Sequence, residues 1–227
     1  MTDAQSHHIP ITRQARFFTL GDPQNASEIW FVLHGYGQLA SFFIRNFTPF
    51  QGPEKLFVAP EGLSRFYLKD FKGRVGATWM TREDRLTEIE DYISYLNTLG
   101  RTILGNLSQP PSRIGILGFS QGVSTAMRWV FSGAFQCQHL ILWAGSLPPE
   151  IELSEHLPRF EKMRLSLAMG SRDQFATPIM WEERLTQLRE LGIPFDDHLF
   201  EGEHRLDRET LGVILGAGRQ LKDPLIL

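Results

Sequence analysis

Ile114-Gly115-Ile116-Leu117-Gly118-Phe119-Ser120-Gln121-Gly122 is the stretch on which the fold turns. It starts as a short apolar run without helical period, reaches Gly-x-Ser-x-Gly, and passes directly into a segment that reads as a helix over residues 121–131. A serine at so sharp a strand-to-helix turn is held in strained backbone geometry. Gly118 and Gly122, two residues to either side, remove the side chains that would collide across it. The helix points its positive dipole end and free amides at the serine, so the Gln121 amide is a candidate donor to a negatively charged oxygen. Three fixed positions alone also describe a structural glycine-rich turn; the strand before them and the helix after them favour the reactive reading.

The same alternation of apolar runs and helix-period segments continues through the chain. Strands are expected at 16–20, 28–33, 55–59, 113–117, 139–143, 164–169 and 195–200. Leu86, Ile89, Ile93 and Leu96 recur at helical spacing against an acidic face, residues 180–191 are apolar at Leu185, Leu188 and Leu191, and a last helix starts near Leu206 with Leu211, Ile214 and Leu215 buried. This predicts an α/β protein with a mainly parallel central sheet of about seven strands and helices on both faces. No linker or repeat divides the chain, so residues 1–227 are expected to form one domain, with 1–10 frayed. Residues 61–80 mix Arg65, Lys69, Lys72 and Arg74 with Phe66, Tyr67, Phe71 and Trp79, and read as a loop or small excursion over the site.

Composition narrows the function. The 227 residues carry 23 basic and 26 acidic side chains, a net charge of −3, which offers no global positive field to nucleic acid or anionic lipid. The single cysteine, Cys137, excludes an internal disulfide and a multi-cysteine metal site, and it lies away from any strand-to-helix turn that would make it a nucleophile. With no apolar run long enough to span a bilayer and no positive leader, a cytoplasmic protein without stable membrane insertion is expected.

A serine hydroxyl is a weak nucleophile near neutral pH and needs a base, which in turn needs an orienting group. In an open parallel sheet these come from loops after later strands. Asp173, after the strand at 164–169, is the acid candidate, although an aspartate there also suits a turn or helix cap. His204, in Gly202-Glu203-His204, is the base candidate; His198 lies inside a strand, His139 at a strand start and His156 in a polar loop. The order Ser120, Asp173, His204 is the one expected for this arrangement. A second donor comes from the turn after the strand at 28–33, where His34-Gly35-Tyr36-Gly37 lets the Tyr36 amide face inward. The His34 side chain more often supports such a turn than acts as base.

At these residues the chain resembles the carboxylesterase, phospholipase and acyl-protein thioesterase branch of the α/β-hydrolases. The matching residues are Leu33-His34-Gly35 with Gly37, Gly118-Phe119-Ser120-Gln121-Gly122, Gly170-x-x-Asp173 followed by Pro178, and Gly202-x-His204. The resemblance implies the α/β-hydrolase fold and hydrolysis of a carboxylic ester or thioester through an acyl-enzyme, with no metal or organic cofactor. The chain departs from the branch at Tyr36 and Gln38-Leu39-Ala40, and at Gly76-Ala77-Thr78-Trp79-Met80. Both stretches fall where substrate would lie.

An esterase acting on a small-molecule ester of small or medium acyl chain is therefore the leading expectation, with Gln38, Phe42, Phe43, Phe66 and Trp79 lining the pocket. Acyl-protein thioesterase and lysophospholipase are the alternatives of the same class; a ligand-binding protein on a hydrolase fold is the alternative of another. A homodimer is left open.

Overall fold

In a computed structural model, the structure describes residues 4–216. Residues 1–3 of the expected frayed terminus, and 217–227 of the expected single domain, lie outside the described residues. Residues 4–16 carry no helix or strand, yet His8 Nε2 meets Asp84 Oδ2 at 2.9 Å.

Nine strands form. They are β1 (Phe17–Leu20), β2 (Glu28–Leu33), β3 (Lys55–Pro60), β4 (Ser64–Tyr67), β5 (Val75–Thr78), β6 (Arg113–Phe119), β7 (His139–Trp143), β8 (Arg164–Gly170) and β9 (Asp196–Phe200). Seven of them make the central sheet in the order β1-β3-β2-β6-β7-β8-β9. Only β1 runs antiparallel to its neighbour; every other pairing is parallel. The seven strands are those read from the apolar runs, shifted by a residue or two at their ends. This is the α/β-hydrolase arrangement.

Strand residues alternate between two cores. Ile29, Phe31 and Leu33 of β2 and Leu56 and Val58 of β3 point to one face, where α2 (Arg85–Gly105), α3 (Gln121–Phe131) and α5 (Pro178–Glu190) cover them. Trp30, Val32, Phe57, Leu117, Phe119 and Trp143 point to the other, against α1 (Ala40–Phe43), the 3-10 turn Ile44–Phe50 that follows it, and α6 (Arg208–Gly216). The short helix α4 (Leu157–Phe160) completes the set. Full burial on both faces explains why these strands are continuously apolar rather than alternating with polar residues. Each fully buried Leu, Val or Phe contributes about 1.5–3 kcal/mol to folding.

Residues 61–80, expected as a loop or small excursion, contain a two-stranded antiparallel ribbon of β4 and β5, with Phe66 opposite Gly76 and Arg65 opposite Ala77. Its strands are four residues each and interrupted by charge and glycine, too short to show a period of two in the sequence. Among the described residues no helix is long and apolar enough to cross a membrane.

Candidate active site

Strand β6 lies in the middle of the sheet, and the chain leaves it at Ser120 with φ 54° and ψ −118° before entering α3. A positive φ on serine costs energy, and the surrounding contacts hold it there. The Ser120 amide donates to Trp143 O at 2.8 Å. A Cβ on Gly118 would stand 2.3 Å from Gly122 O, and one on Gly122 2.3 Å from Leu33 O, so both glycines are required by close approach of backbone.

The loop after β8 carries Asp173, buried, and the loop after β9 carries His204. Ser171 N donates to Phe200 O and Arg172 N to Gly202 O, both at 2.8 Å, so the two loops extend the ladder of their strands. Trp143 Nε1 fixes the second loop by donating to Arg205 O at 2.9 Å. The result brings His204 Nδ1 within 2.7 Å of Asp173 Oδ2. A carboxylate only accepts, so Nδ1 carries the proton and Nε2 keeps its lone pair free. The other carboxylate oxygen accepts from Phe175 N at 2.8 Å and Ala176 N at 3.0 Å. Asp173 therefore holds a turn as well as the histidine, while the cap of α5 is Thr177, whose hydroxyl accepts from Met180 N at 3.3 Å.

The imidazole lies between Phe119 and Phe175, with ring centroids at 4.9 and 4.8 Å. Phe119 is the neighbour of Ser120, so serine and histidine share one end of the sheet. No hydrogen bond joins their side chains among the described residues; in unliganded enzymes such contacts are often long until substrate binds.

The turn after β2 packs directly on the serine: a Cβ on Gly35 would stand 3.1 Å from Ser120 Cβ. The Tyr36 and Gln121 amides donate to no acceptor among the described residues. The amides on either side of Tyr36 are engaged. Gly35 N donates to Gln38 Oε1 at 2.8 Å, Gly37 N to Ala77 O at 2.8 Å and Ala77 N to Gln38 O at 3.1 Å. Strand β5 thus braces the turn. The approach is so close that a Cβ on Gly76 would meet Gly37 O at 2.3 Å.

His34 lies beneath this turn. Nδ1 donates to Gly35 O at 2.8 Å, Nε2 accepts from Gly62 N at 3.0 Å, and Trp79 stacks on the ring at 5.0 Å. Burial pushes its pKa down to about 4, with Gly35 O and Glu61 acting weakly the other way. Both ring nitrogens are committed, which makes it a support for the turn.

The five residues expected to line a pocket separate into three groups. Gln38 is part of the brace just described. Phe66 is half-buried, its ring tilted against Tyr36 at 5.1 Å, and Phe42 is exposed with Arg45 over its ring. Phe43 and Trp79 are interior: Phe43 packs on Phe47 and Phe119, and Trp79, 1% exposed, donates from Nε1 to His34 O at 2.8 Å. Aromatic identity in a sequence does not reveal which side of a loop a ring occupies.

Two side chains take roles that the sequence does not announce. The Gln121 side chain accepts from Trp79 N at 3.1 Å and donates to Met80 O at 2.8 Å, bolting the start of α3 to the end of the ribbon. Glu61, 1% exposed, accepts from Arg16 Nη2 at 2.6 Å and Ala40 N at 3.2 Å and pairs with Arg65 at 3.4 Å, tying three segments together. Gln121 opens α3 and Glu61 follows β3, and only tertiary contact gives either side chain its role. Among the described residues no three metal-ligating side chains converge on one point.

A strained serine, a histidine on a buried aspartate and two amides without a described acceptor thus gather at one end of an α/β-hydrolase sheet. The family model for phospholipase/carboxylesterase matches residues 19–216, and the chain belongs to that family, as a carboxylic ester hydrolase. No curated protein matches it in sequence. Among solved structures it is similar to esterase PE8 at 21% identity and TM-score 0.67, covering 90% of this chain and 97% of that one. It is also similar to acyl-protein thioesterase 2 of Zea mays, at 16% identity and TM-score 0.67, covering 89% and 97%. A phospholipase/carboxylesterase from Dyadobacter fermentans matches at 17% identity and TM-score 0.65, covering 92% and 98%. At these identities the structures establish the fold.

Proposed function

We propose that Ser120, His204 and Asp173 form the catalytic triad of a serine esterase, and that the Tyr36 and Gln121 amides form its oxyanion hole. The observation that carries this reading is the 2.7 Å contact from His204 Nδ1 to a buried carboxylate, with Nε2 left free. His204 Nε2 takes the hydroxyl proton as Ser120 Oγ bonds to the acyl carbon, and the carbonyl oxygen becomes an oxyanion against the two amides. The imidazolium then gives its proton to the departing alcohol or thiol, leaving an acyl-serine. Water, deprotonated by the same nitrogen, attacks that acyl group, and the second collapse returns the proton to Ser120 and releases the acid. Asp173 fixes the tautomer and stabilises the imidazolium.

The substrate reading is a small-molecule carboxylic ester, or thioester, of small or medium acyl chain. The departures at Tyr36 and Gln38 place the chain's own residues at the turn that would contact the substrate, so thioesterase action follows less directly than ester hydrolysis. A fluorophosphonate is expected to add one adduct, on Ser120, and p-nitrophenyl esters of increasing length are expected to peak at short chains. Equal labelling of Ser120→Ala would reject the nucleophile. Preference for a long-chain thioester over every short ester would reject the substrate class.

A further inference from the structure

The outer end of the ribbon differs in chemistry from the acidic chain it belongs to. Between β4 and β5 the sequence is Leu68-Lys69-Asp70-Phe71-Lys72-Gly73-Arg74, closed by Leu68 N donating to Arg74 O at 2.8 Å and Gly73 N to Asp70 O at 3.3 Å. Phe71 at its apex is 91% exposed, and Tyr67, Leu68 and Val75 beside it are exposed as well. Lys69, Lys72 and Arg74 make no side-chain hydrogen bond or ion pair with any described residue, and Asp70 is the one acid in the turn. A protein of net charge −3 gathers three unpaired cations around an apolar wedge, an arrangement that burial within the described fold does not explain.

The wedge connects to the site. Leu68 Cδ2 is 3.0 Å from where a Cβ on Gly37 would stand, and Phe66 stacks on Tyr36, itself 60% exposed. The stem does not hang free, because Ala77 and the Gln121 side chain fasten it to the two amides beside Ser120.

We propose that this turn docks the protein on anionic lipid surfaces, with Phe71 in the interface and Lys69, Lys72 and Arg74 on the headgroups. A single aromatic apex ringed by long cationic side chains suits a bilayer interface, where the chain stems lie along the apolar layer and the charges reach the headgroups. A specific protein partner would need about 800 Å² from each side, more than one tight turn presents. Surface-held esters would then approach Ser120 along Leu68, Phe66 and Tyr36. Docking does not depend on the triad, and the two fail separately.

Co-sedimentation of the full chain with vesicles of phosphatidylcholine, alone or mixed with phosphatidylglycerol, tests it. Binding is expected only to the anionic vesicles and is expected to weaken with salt, each cation contributing about fivefold. Phe71→Asp, and separately Lys69→Glu with Lys72→Glu, should each lower binding tenfold or more, with melting temperature and hydrolysis of soluble p-nitrophenyl acetate unchanged. No vesicle binding, equal binding to neutral vesicles, or binding retained by both variants overturns the proposal. An inert wild type on the soluble ester, with vesicle binding intact, counts against the esterase reading and not against docking.

Discussion

The two ends of the sheet each hold a histidine and a serine, and they differ in what surrounds them. At the end where β6, β8 and β9 finish, His204 is held by Asp173, partly exposed, and Ser120 stands on strained backbone. Towards the other end, His139 Nε2 meets Ser166 Oγ at 2.8 Å with both residues buried between β7 and β8. Only the second pair has the direct serine–histidine hydrogen bond. It is nonetheless buried away from any substrate, and no hydrogen bond from the imidazole's other nitrogen to a carboxylate is found among the described residues. A serine–histidine contact is therefore a poor marker of reactivity; a strained, reachable serine and an oriented histidine are better ones.

The largest effect that breaks or sustains this contrast is the loss of each serine. Ser120→Ala is expected to lower kcat by about a millionfold, the scale seen when a triad nucleophile is removed. Ser166→Ala should leave kcat/KM within a few-fold and instead lower the unfolding free energy by roughly 1–3 kcal/mol, because the buried His139 loses its partner. Parallel kinetics and denaturant titration of the two variants decide it; comparable losses of turnover would erase the distinction.

Next in size is Asp173→Asn. An asparagine of the same shape can present its amide to Nδ1 and so favour the wrong tautomer, with an expected fall in kcat of about ten-thousandfold and little change in KM. Part of the loss would appear in stability as well, since the Phe175 and Ala176 amides bond the same side chain. A kcat within tenfold of wild type would show that Asp173 serves the turn alone.

Acid should weaken both ends. Burial holds His34 down to about 4 and His139 down to about 3, the latter helped by Arg164 and Arg113. Both lie below the ordinary 6.5, so the unfolded chain takes up protons first. Stability is full above about pH 6.5, declines as pH falls toward 4, and stops declining through each group once its folded pKa is passed. Each unit of separation is about 1.4 kcal/mol, so each histidine accounts for a few kcal/mol over that window. Melting temperature followed from pH 7 to 4.5 should fall, and His139→Asn should flatten the slope without altering the pH profile of kcat. A slope unchanged in both His34→Asn and His139→Asn would remove these residues as the cause.

Much of the contrast was legible before the structure. The central strands, Ser120, and the loops of Asp173 and His204 follow from apolar runs ending in glycine-bearing turns, because burial on both faces of a parallel sheet leaves a strong local pattern. The ribbon was less legible: Ser64-Arg65-Phe66-Tyr67 and Val75-Gly76-Ala77-Thr78 are too short to show alternation, and their pairing is set by contact with Gly37 and Gln38. Trp79 and Phe43 were readable as aromatic and not as interior. Glu61 resembled any surface acid, and its burial depends on Arg16, 45 residues earlier.

The smallest effect concerns Gln121, whose amide and side chain have separate tasks. Gln121→Ala keeps the amide proposed for the oxyanion but removes the bonds to Trp79 N and Met80 O, leaving the Trp79 amide without that acceptor. The ribbon then loses one of its fastenings to the reacting end, while Ala77 still braces Gly37 and Gln38 and Trp79 Nε1 still donates to His34 O. A shift of a few tenths of an ångström in a preorganised donor weakens the transition state more than the ground state. The expected result is a fall in kcat of about tenfold with KM nearly unchanged, corresponding to about 1.4 kcal/mol, and partial recovery in Gln121→Glu, which restores the acceptor for Trp79 N but not the donor to Met80 O. A purely structural fastening would instead lower melting temperature in both variants and leave kcat alone, and the catalytic end would then owe its geometry to the Gly35–Gly37 turn rather than to the ribbon.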